Sequence, residues 1–136
     1  MKKPNKGFTL IELLVAMTIM AMLLAIAIFS YQGARKSARD GRRKADLEQI
    51  RSALEMCRTD TDSYPLSIYD NISCGVPAQL YLSGTPTDPA TEDDYYYSGT
   101  NNTYTLCAYL EAGGDGSCGV ANCGSGRTCN YQTKNP

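Results

Sequence analysis

Residues 7–16 read Gly-Phe-Thr-Leu-Ile-Glu-Leu-Leu-Val-Ala (GFTLIELLVA), and they open an apolar run that continues to Phe29. Glu12 is the only charged residue between Lys6 and Arg35. As a helix, the 22 residues from Phe8 to Phe29 would be roughly 33 Å long, enough to cross a hydrocarbon layer of about 30 Å. An acidic side chain inside such a helix costs about 2.5–3.5 kcal/mol at the bilayer centre and less towards the interface, so it needs a partner. The fold and the function both turn on what that partner is.

Composition narrows the choice. The chain has 136 residues, room for one modest core, with a formal net charge of −1 and no histidine. The near-zero total conceals an asymmetry: Ser30 to Arg58 holds eight basic and four acidic residues, whereas Thr59 to Pro136 holds two basic and nine acidic. The six cysteines, Cys57, Cys74, Cys107, Cys118, Cys123 and Cys129, all lie beyond the apolar run. No pair has C-x-x-C spacing, which together with the missing histidine argues against zinc. An even number of cysteines in a small acidic segment points to disulfides, and hence to an oxidising compartment.

Three readings fit the apolar run. The first is an ordinary single-pass anchor. The second is a cleaved secretory signal, with Lys2 to Lys6 as the charged region, Leu13 to Leu24 as the apolar region and Ala25-Ile26-Ala27 as the cleavage site. That reading leaves Glu12 unexplained, as well as the helical pattern that continues far past Ala27. The third explains both. Lys6-Gly7-Phe8-Thr9-Leu10-Ile11-Glu12 closely resembles the prepilin signal of type IV pilins and of type II secretion pseudopilins. The resemblance implies that a prepilin peptidase cuts after Gly7, that the new N-terminus at Phe8 is N-methylated, and that Glu12 serves filament assembly. Cutting before Phe8 would create an α-amino group that is charged at neutral pH. Two charges 4 Å apart in an effective dielectric of 20 attract by about 4 kcal/mol, comparable with the insertion cost. The family precedent places that amine on a neighbouring subunit.

The helical pattern runs on. At 100° per residue Leu47, Ile50, Leu54 and Cys57 fall within an arc of about 80°, a single apolar stripe. Arg51 and Glu55 are spaced as an i, i+4 pair. Nothing breaks the helix before Thr59-Asp60-Thr61-Asp62 and Pro65, so one helix is expected from Phe8 to about Thr59. No proline falls between Pro4 and Pro65, and local melting in a filament would have to use Gly33 or Gly41. The cations Arg35, Lys36, Arg39, Arg42, Arg43 and Lys44 lie on the presumed outer side, against the usual positive-inside bias. They read as a solvated face that pairs with acidic heads of neighbouring subunits, with a nucleic-acid or lipid-headgroup patch as the lesser alternative.

Beyond Pro65 short runs alternate with Gly, Pro, Asp and Asn. Tyr95 to Tyr97 and Thr103 to Glu111 read as two strands of a hairpin turned at Gly99 to Asn102, with Tyr104, Leu106, Ala108 and Leu110 inward. Arg127 to Thr133 supplies a third strand. The series Tyr81-Leu82, Pro86-Thr87-Asp88-Pro89, Tyr95-Tyr96-Tyr97 and Tyr104-Thr105-Leu106 is similar to the head of major pseudopilins. Those bind calcium in an acidic C-terminal loop; here Gly113 to Ser117 holds one acid, with Glu92, Asp93 and Asp94 elsewhere, so a solvated turn is the expected reading and no cofactor is required. The pairings expected for the cysteines are Cys57 with Cys74, Cys107 with Cys129 and Cys118 with Cys123. Asn71-Ile72-Ser73 and Asn101-Asn102-Thr103 match the glycosylation pattern, one short enough to arise by chance.

The expected fold is α+β, a pilin-like ladle: residues 1–7 as leader, 8–29 as the transmembrane half of a long helix, 30–59 as its amphipathic half, and 60–136 as a small disulfide-stapled antiparallel β head. No constellation of residues suggests catalysis. The expected role is a structural subunit of a type IV pilus or pilus-like filament, with a major pseudopilin acting as a secretion piston as the alternative and an anchored extracytoplasmic binding module as a distant third. Its partners would be further copies of itself in a helical filament, the prepilin peptidase, an inner-membrane assembly platform, and membrane lipid before assembly.

Overall fold

A computed structural model describes residues 7–116, 118–120, 122–124 and 126–135, so the leader lysines lie outside the described residues. A helix, α1 (Leu10–Thr61), precedes five strands: β1 (Asn71–Cys74), β2 (Gln79–Ser83), β3 (Tyr96–Gly99), β4 (Tyr104–Ala108) and β5 (Tyr131–Lys134). The chain divides into two units, one ending at Arg35 and the other beginning at Lys36.

In the first unit every described side chain is exposed, including the whole apolar run from Phe8 to Phe29. A sequence this apolar with nothing packed on it is built for lipid or for other protein chains. Its helix starts two residues later than Phe8, because Thr9 caps the first turn and leaves Gly7 and Phe8 outside.

The second unit is organised by the apolar stripe. Leu47, Ile50, Leu54 and Cys57 are fully buried and Ala53 nearly so. They form one core with Tyr64, Ile68, Ile72, Tyr95, Tyr97, Tyr104, Leu106 and Ala108. The helix ends at Thr61, where Asp62 takes a left-handed conformation (φ 56°) and its N–H closes on the Arg58 carbonyl at 2.8 Å. β3, β4 and β5 form an antiparallel sheet in that order, Tyr97 opposite Leu106 and Ala108 opposite Tyr131. Between β3 and β4 the Thr100 N–H donates to the Thr103 carbonyl (2.7 Å), and the Thr100 hydroxyl accepts from the Thr103 N–H. Tyr104, Leu106, Ala108 and Leu110 point inward, as their alternation predicts.

Three features depart from the sequence reading. β1 and β2 form a separate hairpin, with a register shift between Ile72 and Ser73; strands of four and five residues around Gly75 and Pro77 carry too little periodicity to be legible. Cys107 is as buried as the inward set, because the segment after Glu111 folds over the outer face of β4. Cys107, Cys118 and Cys129 form a second small core there with Tyr96, Val120 and Cys123. Arg51 lies 3.6 Å from Glu48 rather than pairing with Glu55, since the Glu55 carboxylate accepts the hydroxyls of Tyr64 (3.1 Å) and Tyr104 (3.2 Å).

The disulfides join Cys57 to Cys74, Cys107 to Cys118 and Cys123 to Cys129. The expected Cys107–Cys129 and Cys118–Cys123 pairings are not formed. Although β4 and β5 are neighbours, the residue opposite Cys107 is Gln132, and Cys129 precedes β5 altogether. The overlying segment instead brings Cys118 to a Cα separation of 6.2 Å from Cys107. Cys57–Cys74 ties the last turns of α1 to β1 across 17 residues. Replacing both by serine should therefore cost about 3 kcal/mol of head stability, read from denaturant unfolding of the full chain in detergent. An unchanged midpoint would show that the hairpin is held without its staple.

Candidate functional site

The first site is the start of α1. Thr9 and Glu12 form a reciprocal capping box: the Thr9 hydroxyl accepts the Glu12 N–H at 3.3 Å, while the Glu12 carboxylate accepts the Thr9 N–H at 3.2 Å and the Thr9 hydroxyl at 3.0 Å. Two of the helix's orphan donors are thereby satisfied, and an acidic group stands at the positive end of the helix dipole. Both bonds to the carboxylate land on Oε2, so Oε1 carries no hydrogen bond among the described residues. The T-x-x-E spacing before an apolar run is legible in the sequence as a capping box. Gly7 and Phe8 precede the helix, Phe8 being 86% exposed. A Cβ built on Gly7 meets nothing within 4 Å. Nothing in this fold requires glycine there.

The second site lies in the head. Arg43 has no exposed surface, yet its guanidinium meets three carboxylates. Nε and Nη2 donate to the two oxygens of Asp88 at 2.7 and 2.9 Å, and Nη1 donates to Asp40 at 2.7 Å and to Glu111 at 3.0 Å. Arg39 adds a fork onto Glu111, at 2.7 and 2.5 Å. Asp40 also accepts the N–H groups of Glu111 and Ala112, and Asp88 those of Ala90 and Thr91. Burial alone would raise the Asp88 pKa, but the Arg43 bonds and the two N–H groups outweigh it, and the group ionises below the ordinary carboxylate range. The Arg39 fork and the Arg43 bond hold Glu111 down at about 2.

This cluster corrects the reading of the basic run. Arg39 and Arg43 pair with acids of their own chain, Arg39 with Glu111 and Arg43 with Asp40, Asp88 and Glu111. Arg35, Lys36, Arg42 and Lys44 remain exposed. A signal was present: Arg43 precedes Leu47 by four residues, so it falls inside the same arc as the apolar stripe. The Pro86-Thr87-Asp88-Pro89 motif also gains a purpose, since its turn presents Asp88 to Arg43.

The remaining candidates are placed as follows. Glu92 and Asp94 flank Asp93 in the turn after Asp88, where the Glu92 N–H donates to the Asp88 carbonyl and Asp94 bridges to Thr87. No group of three or more metal-ligating side chains occurs among the described residues, and Ser117 of the glycine-rich loop lies outside them. Asn71 is on β1 with its carbonyl oxygen accepting the Gly84 N–H, and Asn101 is exposed in the β3–β4 turn.

Known proteins resemble this chain at its N-terminus and over most of its length. The prokaryotic N-terminal methylation motif matches residues 2–28. The type IV major fimbrial protein FimA of Dichelobacter nodosus is 34% identical over 110 residues, covering 78% of this chain and 67% of its own. The type IV wide pilus major component PilA4 of Thermus thermophilus is 34% identical over 103 residues, 76% of this chain and 72% of its own. The type II secretion system core protein G of Vibrio cholerae is 28% identical over 133 residues, 86% of this chain and 91% of its own. No solved structure matches the chain.

The Arg43 cluster sets an acid limit on the head. Both Asp88 and Glu111 have depressed pKa values in the folded state. Their contribution is therefore complete above the unfolded carboxylate range near pH 4–4.5 and is lost as pH falls through the folded values, about 2 for Glu111. The thermal midpoint should hold steady at neutral pH and decline below about pH 4.5. Arg43→Met should lose about 3–5 kcal/mol at pH 7, leaving buried carboxylates uncompensated, and should flatten that acid limb. Near-ultraviolet circular dichroism, which reads the buried tyrosines, follows both effects; a midpoint constant down to pH 3 would contradict the assignment.

Proposed function

The chain belongs to the type IV pilin and type II secretion pseudopilin family, and from that premise we propose that it is a filament-building structural subunit, made as a prepilin and assembled through its apolar helix. The observation that carries this reading is the reach of the likeness to FimA. It extends over 110 residues, well past the N-terminal signal and into the head, so it covers the part that a shared signal alone would not explain.

The geometry at the start of the helix supports the first of these steps. Gly7-Phe8 lies ahead of the helix, reachable as an extended substrate, and the fold has no need of glycine at that position. We read it as the residue a prepilin peptidase requires, with Phe8 as the methylated product terminus. The cut frees an amine at Phe8, close in sequence to a carboxylate whose Oε1 carries no hydrogen bond among the described residues. Within one chain Thr9 keeps Glu12 partly satisfied, which lowers the cost of carrying a carboxylate into the bilayer. In the filament the amine of another copy completes it and fixes the axial register. Methylation leaves that amine protonated and the attraction intact. The head then lies on the extracytoplasmic side, where the three disulfides form. The role is structural and non-enzymatic.

The second reading, a pseudopilin of a secretion system, is favoured by one observation: the likeness to core protein G covers 91% of that protein. Loss of surface fibres on deletion of the gene supports the pilus; intact fibres with exported proteins retained in the periplasm support the pseudopilin.

Intact-mass measurement of membrane-extracted protein should give residues 8–136 plus one methyl group, with three disulfides. A chain beginning at Met1 or at Ile28 would refute the processing step. Glu12→Ala should insert into the membrane normally yet build no filaments, as judged by electron microscopy of sheared fractions; wild-type filament yield from that variant would refute the register role.

A further inference from the structure

Two and six residues past the end of the apolar run, Tyr31 and Arg35 share one face of α1. The Arg35 guanidinium lies over the Tyr31 ring, 5.6 Å from its centroid, within cation–π range. Helical side chains tilt towards the N-terminus, and here the cation doubles back one turn towards the apolar run instead of reaching away from it. On the same face Leu24, Ala27 and Ile28 continue the surface that Tyr31, Gln32 and Arg35 line as one shallow groove. Ala27 leaves a hollow between its two larger neighbours. The groove is apolar along most of its length and ends in an amide and a cation, the order in which a phospholipid presents its chain and its phosphate.

Depth fits the same ligand. If residues 8–29 fill the hydrocarbon layer, Tyr31 lies about 3 Å beyond its edge and the Arg35 backbone about 9 Å beyond. The headgroup layer is only about 5–7 Å deep on each side, so an outstretched Arg35 would overshoot it. Folded back over Tyr31, the guanidinium returns to the level of the phosphates, while the ring occupies the interfacial position that tyrosine favours.

The geometry points to a seat for an anionic phospholipid on this face, with an acyl chain along Leu24, Ala27 and Ile28 and the phosphate on Arg35 and Gln32. Tyr31 is the positioning residue that holds the cation at that depth. A headgroup with its own ammonium would compete with Arg35 for the phosphate, which is why an anionic lipid is preferred. An acidic patch of a second copy would satisfy the charge but leave the apolar groove open. The inference rests on residues 8–29 spanning the membrane, and the lipid must leave when other copies pack on this face.

The chain has no tryptophan, so Tyr31→Trp introduces a single emitter and keeps an aromatic face for Arg35. The full chain carrying it is reconstituted in mixed phosphatidylcholine and phosphatidylglycerol vesicles, with bromine on the upper acyl chain of one lipid or the other. Quenching should be on the order of fivefold more effective from brominated phosphatidylglycerol, the increment that one basic residue adds near an anionic surface. Adding Arg35→Gln should bring the two lipids to parity. Equal quenching without that second change, or a preference that survives it, overturns the seat. Emission that follows chain density rather than lipid composition assigns the groove to a second copy and overturns it too. Quenching by neither lipid, with release of the chain by alkaline carbonate, refutes the membrane span itself.

Discussion

A guanidinium with no exposed surface must be neutralised where it sits, and Arg43 sits where the helix meets the head loops. Leaving water costs a cation several kcal/mol, a cost repaid only when its donors are fully used in good geometry. Asp88 takes two of them as a fork, and Asp40 and Glu111 share a third. Two of these acids in turn hold backbone. Asp88 accepts the N–H groups of its own turn, and Asp40, on the helix, accepts those of Glu111 and Ala112 just past β4. One positive charge on the helix thus sets the path of two loops that are far apart in sequence. An apolar side chain of equal volume would fill the space, but it would leave both loop paths unspecified.

What could be read from the sequence was local. The stripe from Leu47 to Cys57, the alternation from Tyr104 to Leu110 and the apolar run each repeat within a window shorter than 25 residues, and each is found where periodicity puts it. What escaped was non-local. Helical phase sets Arg43 on the buried stripe, but nothing local names its partner Asp88, 45 residues on. The disulfides show the same limit. Cys107 and Cys129 belong near neighbouring strands, but strand order says nothing of register, and register places Gln132 opposite Cys107. The pairing with Cys118 depends on a loop crossing the outer face of β4, a path that glycine-rich sequence does not encode by pattern.

The head also accounts for its tyrosines without a ligand. Tyr64 and Tyr104 meet edge to face, with centroids 4.8 Å apart, and both donate their hydroxyls to Glu55. Tyr95 donates to Asp46 at 2.8 Å, and Tyr97 to the Pro65 carbonyl at 2.5 Å. Burial pushes the Tyr97 hydroxyl up to about 12 and raises those of Tyr95 and Tyr104 as well, so all three stay neutral donors across the physiological range. A core built this way uses broad rings with polar ends, which suits a small domain that has few aliphatic residues to bury.

Six of the carboxylates divide between two jobs, holding the head together and the assembly proposed above. Asp40, Asp46, Glu55, Asp88 and Glu111 are all engaged by groups of their own unit. Glu12 differs: its capping box with Thr9 uses one carboxylate oxygen, and under the processing proposed above its best-matched partner would be the amine exposed by a cut before Phe8. On that proposal the charge is partly satisfied in the precursor by Thr9 and would be completed by processing. If different acids do the two jobs, as proposed, a lesion at Glu12 would block assembly while the head stays folded, and a lesion at Arg43 would loosen the head without touching the N-terminal carboxylate.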